Sequence, residues 1–304
     1  MVRRYNMEKM SEIIRREFAR GDDIRDAGLT SPADILRWDD IVYAEKEKFC
    51  DDLQKLDVYR PKEREGKLPV IVSVHGGGWV YGDKERYQYY CMDLAQRGFV
   101  VVNFSYRLAP EWKFPAALED TNMVFEWMME HAGEYGMDVE HIFAVGDSAG
   151  AHILSLYLNI CTNERYQKLY EFKTPENLNI QAAALNCGQY HMDKNDMKDD
   201  MTGKLMEEYL PKKGSAEELE KLCADKYLTD KFPPSYIMTA EEDFLKEQAP
   251  FFYEILKETG VPCELHEYTS EQKKLGHVFH LNIRSEAAKK CNDEECRFFE
   301  RFIK

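Results

Sequence analysis

Apolar, β-branched runs alternate with amphipathic stretches along most of this chain. Residues 53–59 alternate apolar and polar positions and stop at Pro61, a pattern that predicts a strand. Residues 69–74 are almost continuously apolar, as a strand buried on both faces requires. Residues 98–104 repeat that character, and 141–145, 180–185, 235–240 and 263–268 are further strand candidates. Helical periods lie between them. Leu118, Thr121, Phe125, Met128 and Ala132 share one helical face, with Glu119, Asp120, Glu126 and Glu130 largely off it. Residues 148–160 are apolar nearly all round, which predicts a buried helix; 244–259 and 284–302 read as amphipathic helices. This alternation predicts an α/β fold, a mostly parallel central sheet with helices on both faces.

Two regions break the alternation. Residues 1–48 are charged and helix-prone, with Ile13, Ile14 and Phe18 set among charges. Residues 188–222 are also charged and carry Met192, Met197, Met201 and Met206. If the two meet in space they form a helical cap, leaving 49–187 and 223–304 as the core. The plainer reading is solvated surface helices whose methionines face inward. Methionine suits an adaptable apolar pocket wall.

Composition narrows the classes of function. A chain of 304 residues, 44% hydrophobic and 32% charged, can bury a sizeable core. Its net charge of −15 argues against nucleic acid and anionic membranes as partners. No stretch approaches the roughly 20 apolar residues of a membrane span. Arg3 and Arg4 are followed by no apolar signal core, so a cytoplasmic location is expected. The eight cysteines are scattered without a C-x-x-C pair, which predicts small buried hydrophobes rather than a disulfide framework. No histidine or acidic cluster completes a site beside Cys291 and Cys296, so no metal is expected there or elsewhere.

The chemistry is carried by two glycine-rich strings. Gly146-Asp147-Ser148-Ala149-Gly150 reads G-x-S-x-G and lies between the strand at 141–145 and the buried helix. A serine hydroxyl is a poor nucleophile at neutral pH, and a sharp strand-to-helix turn exposes and fixes it. Gly146 and Gly150 leave room for neighbouring backbone. Ala149 offers its N–H at a helix start, where the field favours an oxyanion. His75-Gly76-Gly77-Gly78-Trp79 follows the strand at 69–74. Gly76 and Gly77, lacking Cβ, can bring N–H groups to a substrate carbonyl oxygen, so with Ala149 they are the expected oxyanion hole, each donor worth about 3 kcal/mol. His75 and Trp79 read as structural. The acid and the base are expected downstream of the serine, in that order. Glu241, Glu242 and Asp243 follow the strand at 235–240. Of the later histidines, His266 lies within a strand-like run, His277 in a loop beyond it and His280 at a helix start.

A third stretch, Tyr106-Arg107-Leu108-Ala109-Pro110-Glu111 followed by Phe114-Pro115-Ala116-Ala117-Leu118-Glu119-Asp120, completes a resemblance. Over roughly residues 50 to 285 the chain resembles the hormone-sensitive-lipase-like family of α/β-hydrolase carboxylesterases. The resemblance implies that fold, a helical cap from the two misfit regions, and a Ser148–Asp243–His277 triad that needs no cofactor. Asp243-Phe244-Leu245-Lys246-Glu247 is similar to the family's D-P-L-x-D stretch, with Phe244 where proline is usual and Glu247 as the second acid. Gly276-His277-Val278-Phe279 is similar to its H-x-F signature. The implied activity is hydrolysis of small, short-acyl esters through an acyl-enzyme. Arylformamidases share a similar H-G-G-x-W string, and deacetylation of acetylated oligosaccharides uses the same triad. A ligand-binding homologue without catalysis, like the plant gibberellin receptor, is disfavoured because a serine, an acid and a histidine are all present. Many family members dimerise through their last strand, here residues 263–268, although its charged side chains equally suit a monomer.

Overall fold

A computed structural model describes residues 8–44, 53–198 and 200–303; Cys50 lies outside them. Eight strands form one sheet: β1 (Ile35–Val42), β2 (Lys55–Pro61), β3 (Leu68–Val74), β4 (Val100–Phe104), β5 (Met137–Asp147), β6 (Ile180–Asn186), β7 (Ser235–Ala240) and β8 (Cys263–Tyr268). Their order is β1-β2-β4-β3-β5-β6-β7-β8. The β1–β2 and β2–β4 pairs are antiparallel, and every later pair is parallel. The helices are α1 (Met10–Asp26), α2 (Lys84–Ala95), α3 (Ala116–Tyr135), α4 (Ala149–Thr162), α5 (Glu164–Gln167), α6 (Met201–Tyr209), α7 (Ala216–Lys221), α8 (Gln248–Thr259) and α9 (Glu286–Glu300). None among the described residues is long and apolar enough to cross a membrane.

The continuous apolar runs are explained by burial on both faces. Val70, Val72 and Val74 of β3 pack with Leu118, Phe125 and Met128 of α3 and with α4 and α8. Ile71 points the other way, into a second core with Tyr90 and Met92 of α2 and Phe298 and Phe299 of α9. Each such aliphatic side chain, fully buried, contributes about 1.5–3 kcal/mol.

Three elements differ from the sequence reading. The sheet begins inside residues 1–48, because Ile35–Val42 pairs with β2, so the expected boundary at 48 falls too late. A bulge between Trp38 and Ile41, with Asp40 at φ 59°, breaks the apolar alternation that would have revealed the strand. Helix α2 was not foreseen, since its buried face is made partly of Lys84, Tyr87 and Tyr90 rather than aliphatics. Helix α8 starts at Gln248 rather than at 244. Asp243 Oδ1 accepts the Leu245 N–H at 2.9 Å and holds the preceding residues in a turn.

The two misfit regions do meet. The Met10 N–H, at the start of α1, donates to Glu208 Oε1 of α6 at 2.8 Å, and the Ser11 hydroxyl donates to the same carboxylate. Arg15 of α1 donates to the carbonyls of Val80 (2.8 Å) and Ala109 (2.9 Å), which ties that helix to the loops after β3 and β4.

Candidate active site

Ser148 sits between β5 and α4 at φ 51°, ψ −120°, a conformation that costs a non-glycine residue energy. Close packing holds it there. A Cβ on Gly146 would come within 2.7 Å of the Gly150 carbonyl oxygen, and one on Gly150 within 2.1 Å of that of Val74. The Ser148 N–H donates to the Asn186 carbonyl at 2.9 Å, which anchors the turn to β6.

His277 lies in the loop after β8, with Nε2 at 2.8 Å from Ser148 Oγ and Nδ1 at 2.6 Å from Asp243 Oδ1. A carboxylate only accepts, so the proton belongs on Nδ1 and Nε2 is left to accept from the serine hydroxyl. Asp243 also receives the Leu245 N–H and the Thr239 hydroxyl, each at 2.9 Å. Burial alone would raise its pKa, but His277 and these donors outweigh burial and hold it below the ordinary 3.8. The other candidates do not line up with Ser148. Glu241 receives the Ser270 N–H and Lys274. His266 stacks on Tyr236 within β8. His280 is fully buried with both ring nitrogens unpartnered, and burial pushes its pKa down to about 3.

The glycine string calls for one correction. The Gly76 N–H donates to the Tyr87 hydroxyl at 2.9 Å, and that hydroxyl donates to Asp147 Oδ2 at 2.8 Å, all in the interior. Gly76 is therefore not a free donor. The N–H groups of Gly77, Gly78 and Ala149 carry no hydrogen bond among the described residues. Gly77 (φ 117°) and Gly78 (φ 60°) need a backbone that favours glycine, and a Cβ on Gly77 would lie 2.0 Å from the Tyr81 carbonyl oxygen. The third glycine of the string could have flagged Gly78; nothing in the sequence flags Tyr87. His75 stacks on Tyr106 at 3.9 Å, and burial lowers its pKa to about 4. Trp79 Nε1 donates to His152 Nδ1 at 3.2 Å. The third stretch braces this loop: the Tyr106 hydroxyl donates to the His75 carbonyl at 3.0 Å, and Asp120 accepts the Arg107 N–H at 2.7 Å.

Two carboxyl groups lie beneath Ser148. Burial raises Asp147 to about 7 against its bond from Tyr87, and raises Glu295 to about 7 against bonds from Asn186 and Tyr90. Two cavities meet at Ser148 and His277, with Phe18 and Phe244 walling both. The larger, of about 330 Å³, reaches Asp22, Arg25 and Tyr81. The smaller, of about 50 Å³, is lined by Trp79, Ala149, Met201, Leu205 and Leu245. Among the described residues two clusters have metal-ligating side chains within reach of one another: Cys187, Asp243 and His277, and His191, Cys223 and Asp225.

Residues 71–281 match the model of a family described as having the alpha/beta hydrolase fold. The chain belongs to that family, in its hormone-sensitive-lipase-like branch. Carboxylesterase NlhH of Mycobacterium tuberculosis is 29% identical over 217 residues, 68% of this chain and 66% of the relative, so the match spans just under two thirds of that protein. The versiconal hemiacetal acetate esterase of Dothistroma septosporum is 28% identical over 228 residues, 70% of this chain and 68% of the relative. Esterase B of Lactobacillus rhamnosis, solved with a tributyrin phosphonate, has the same fold: TM-score 0.86 at 24% identity, covering 96% of this chain and 95% of that one.

Proposed function

We propose that this hydrolase is a serine carboxylesterase acting on small, short-acyl esters. The observation that carries the reading is the hydrogen-bonded line from Ser148 Oγ through His277 to Asp243, opening on two cavities. Ser148 Oγ attacks the ester carbonyl while His277 Nε2 takes its proton. The oxyanion gathers on the N–H groups of Gly77, Gly78 and Ala149, where preorganised donors cost no reorganisation. Asp243 fixes the tautomer and stabilises the imidazolium. His277 then returns the proton to the leaving alkoxide. Water, deprotonated by His277, attacks the acyl-enzyme, and His277 passes that proton to the departing Ser148 Oγ, releasing the acid and restoring the serine hydroxyl.

Cavity size supports the short acyl group. A space of about 50 Å³ beside Ala149 suits an acetyl group, and the larger cavity suits the alcohol. We assign the roof over both to α1 together with residues 188–222, since Phe18 of α1 and Met201 and Leu205 of α6 line them. The relatives named as esterases agree with this chemistry. Measuring kcat/KM for p-nitrophenyl esters of increasing acyl length tests it: activity should fall steeply beyond the shortest chains, and equal activity on octanoate would refute the assignment. The outer edge of β8 supports pairing of two chains there, an arrangement that a chain sedimenting as a monomer at micromolar concentration would exclude.

A further inference from the structure

The segment that carries α6 and α7 leaves the core after β6 and returns before β7, and its two ends meet. His191 stands at the exit; Cys223 and Asp225 stand at the return. An imidazole nitrogen, a thiol sulfur and a carboxylate oxygen from these residues all lie within 4.8 Å of one another. His191 Nδ1 is 2.9 Å from Asp225 Oδ2. The Cys223 side chain is buried, that of Asp225 is 10% exposed and that of His191 is 32% exposed.

A second observation points to a ligand. Asp225 Oδ1 is buried and has no hydrogen-bond partner. A carboxylate oxygen left unmet in the interior is costly, and a cation is what such an oxygen lacks. We propose that His191, Cys223 and Asp225 hold a zinc ion that clamps the base of the roof.

The donor set selects the metal. One sulfur, one nitrogen and one oxygen suit zinc, whereas magnesium and calcium take oxygen alone. Donor atoms around a four-coordinate zinc lie about 3.3–3.6 Å apart, and the three here all lie within 4.8 Å of one another, with His191 Nδ1 and Asp225 Oδ2 at 2.9 Å. Thiolate and carboxylate together balance the charge of the ion. The thiol now donates to the carbonyls of Met192 (2.9 Å) and Leu219 (3.2 Å), and His191 Nδ1 to Asp225; binding therefore displaces one proton from Cys223 to solvent, moves the His191 proton from Nδ1 to Nε2, and exchanges these hydrogen bonds for bonds to the ion. The exposed side of His191 leaves the fourth position open to water. Gln248 Oε1 already accepts the N–H groups of Tyr190 (2.9 Å) and His191 (3.0 Å), which holds the exit strand in place. Clamping the two ends closes the excursion into a loop, and Gln189, two residues before His191, lines the smaller cavity.

The full-length chain, stripped with a chelator, is titrated with Co²⁺ as a spectroscopic stand-in and then with Zn²⁺. One equivalent should bind with a thiolate-to-cobalt charge-transfer band, zinc should displace it, and hydrolysis of p-nitrophenyl acetate should persist in the loaded protein. Cys223→Ser should lose the band and weaken zinc binding by about 100-fold or more, and Asp225→Asn should weaken it while keeping the band. Zinc should raise the Tm of the wild type and not that of Cys223→Ser. No binding at micromolar zinc, binding unchanged in Cys223→Ser, or binding that abolishes hydrolysis and disappears in Cys187→Ser would each overturn the proposal, the last by placing the ion at the other cluster.

Discussion

The floor and the roof of this site are made of different material. The floor hangs from the ends of parallel strands: Ser148 from β5, Asp243 from the turn after β7, His277 from the loop after β8. Both faces of β5 and β7 are packed, and β8 pairs along β7, so Ser148, Asp243 and His277 are held by the core of the molecule. The roof assigned above is α1 and α6, two helices joined to each other through Glu208 and to the loops after β3 and β4 through Arg15. In the function proposed, chemistry is fixed by elements the fold cannot do without, and substrate choice by elements it can vary.

Substitutions can break or sharpen that division. In the floor, Ser148→Ala should lower kcat by roughly 10⁴-fold or more with the fold intact. Near-normal turnover of p-nitrophenyl acetate would leave the floor without its nucleophile. Next in size is Tyr87→Phe, which frees the Gly76 N–H and loosens the loop carrying Gly77 and Gly78. It should cut kcat by roughly tenfold with KM nearly unchanged, because the donors act on the transition state. A change confined to KM would assign Tyr87 to binding instead.

In the roof, Leu205→Ala should enlarge the smaller cavity and shift kcat/KM toward butyrate over acetate by about tenfold, leaving acetate turnover close to wild type. An equal loss on both esters would mean that Leu205 supports the floor. The smallest effect concerns pH. Asp147 keeps its proton in the folded chain up to about 7, whereas it loses it near 3.8 when unfolded. Between those values the folded state binds more protons, so this group's contribution to stability is full below pH 4 and is lost as pH rises toward 7. Asp147→Asn, which keeps an acceptor for Tyr87, should raise Tm by more at pH 8 than at pH 5. Equal shifts at both would show that Asp147 is ionised in the fold.

The same division governs what the sequence made legible. Valines packed on both faces of β3 leave an unmistakable run, and a strained serine turn demands Gly146 and Gly150, so the fold and the position of the serine turn could be read directly. Asp243 and His277 could be chosen among neighbours only through resemblance, because their selection depends on how loops after β7 and β8 approach β5. Strand β1 was hidden by its bulge, and α2 by a buried face of lysine and tyrosines. Gly76 was misassigned because its partner, Tyr87, is eleven residues away on a helix whose position no local pattern reveals. The meeting of α1 with α6 through Glu208 spans 198 residues and is equally invisible to periodicity.

The central claim is that Ser148 is the nucleophile and His277 its base. Treating the chain with a fluorophosphonate and locating the adduct by peptide mass spectrometry tests it most directly. The account predicts one adduct per chain on Ser148, absent in Ser148→Ala and formed far more slowly in His277→Ala. An adduct on another residue, or labelling at an unchanged rate without His277, would contradict it.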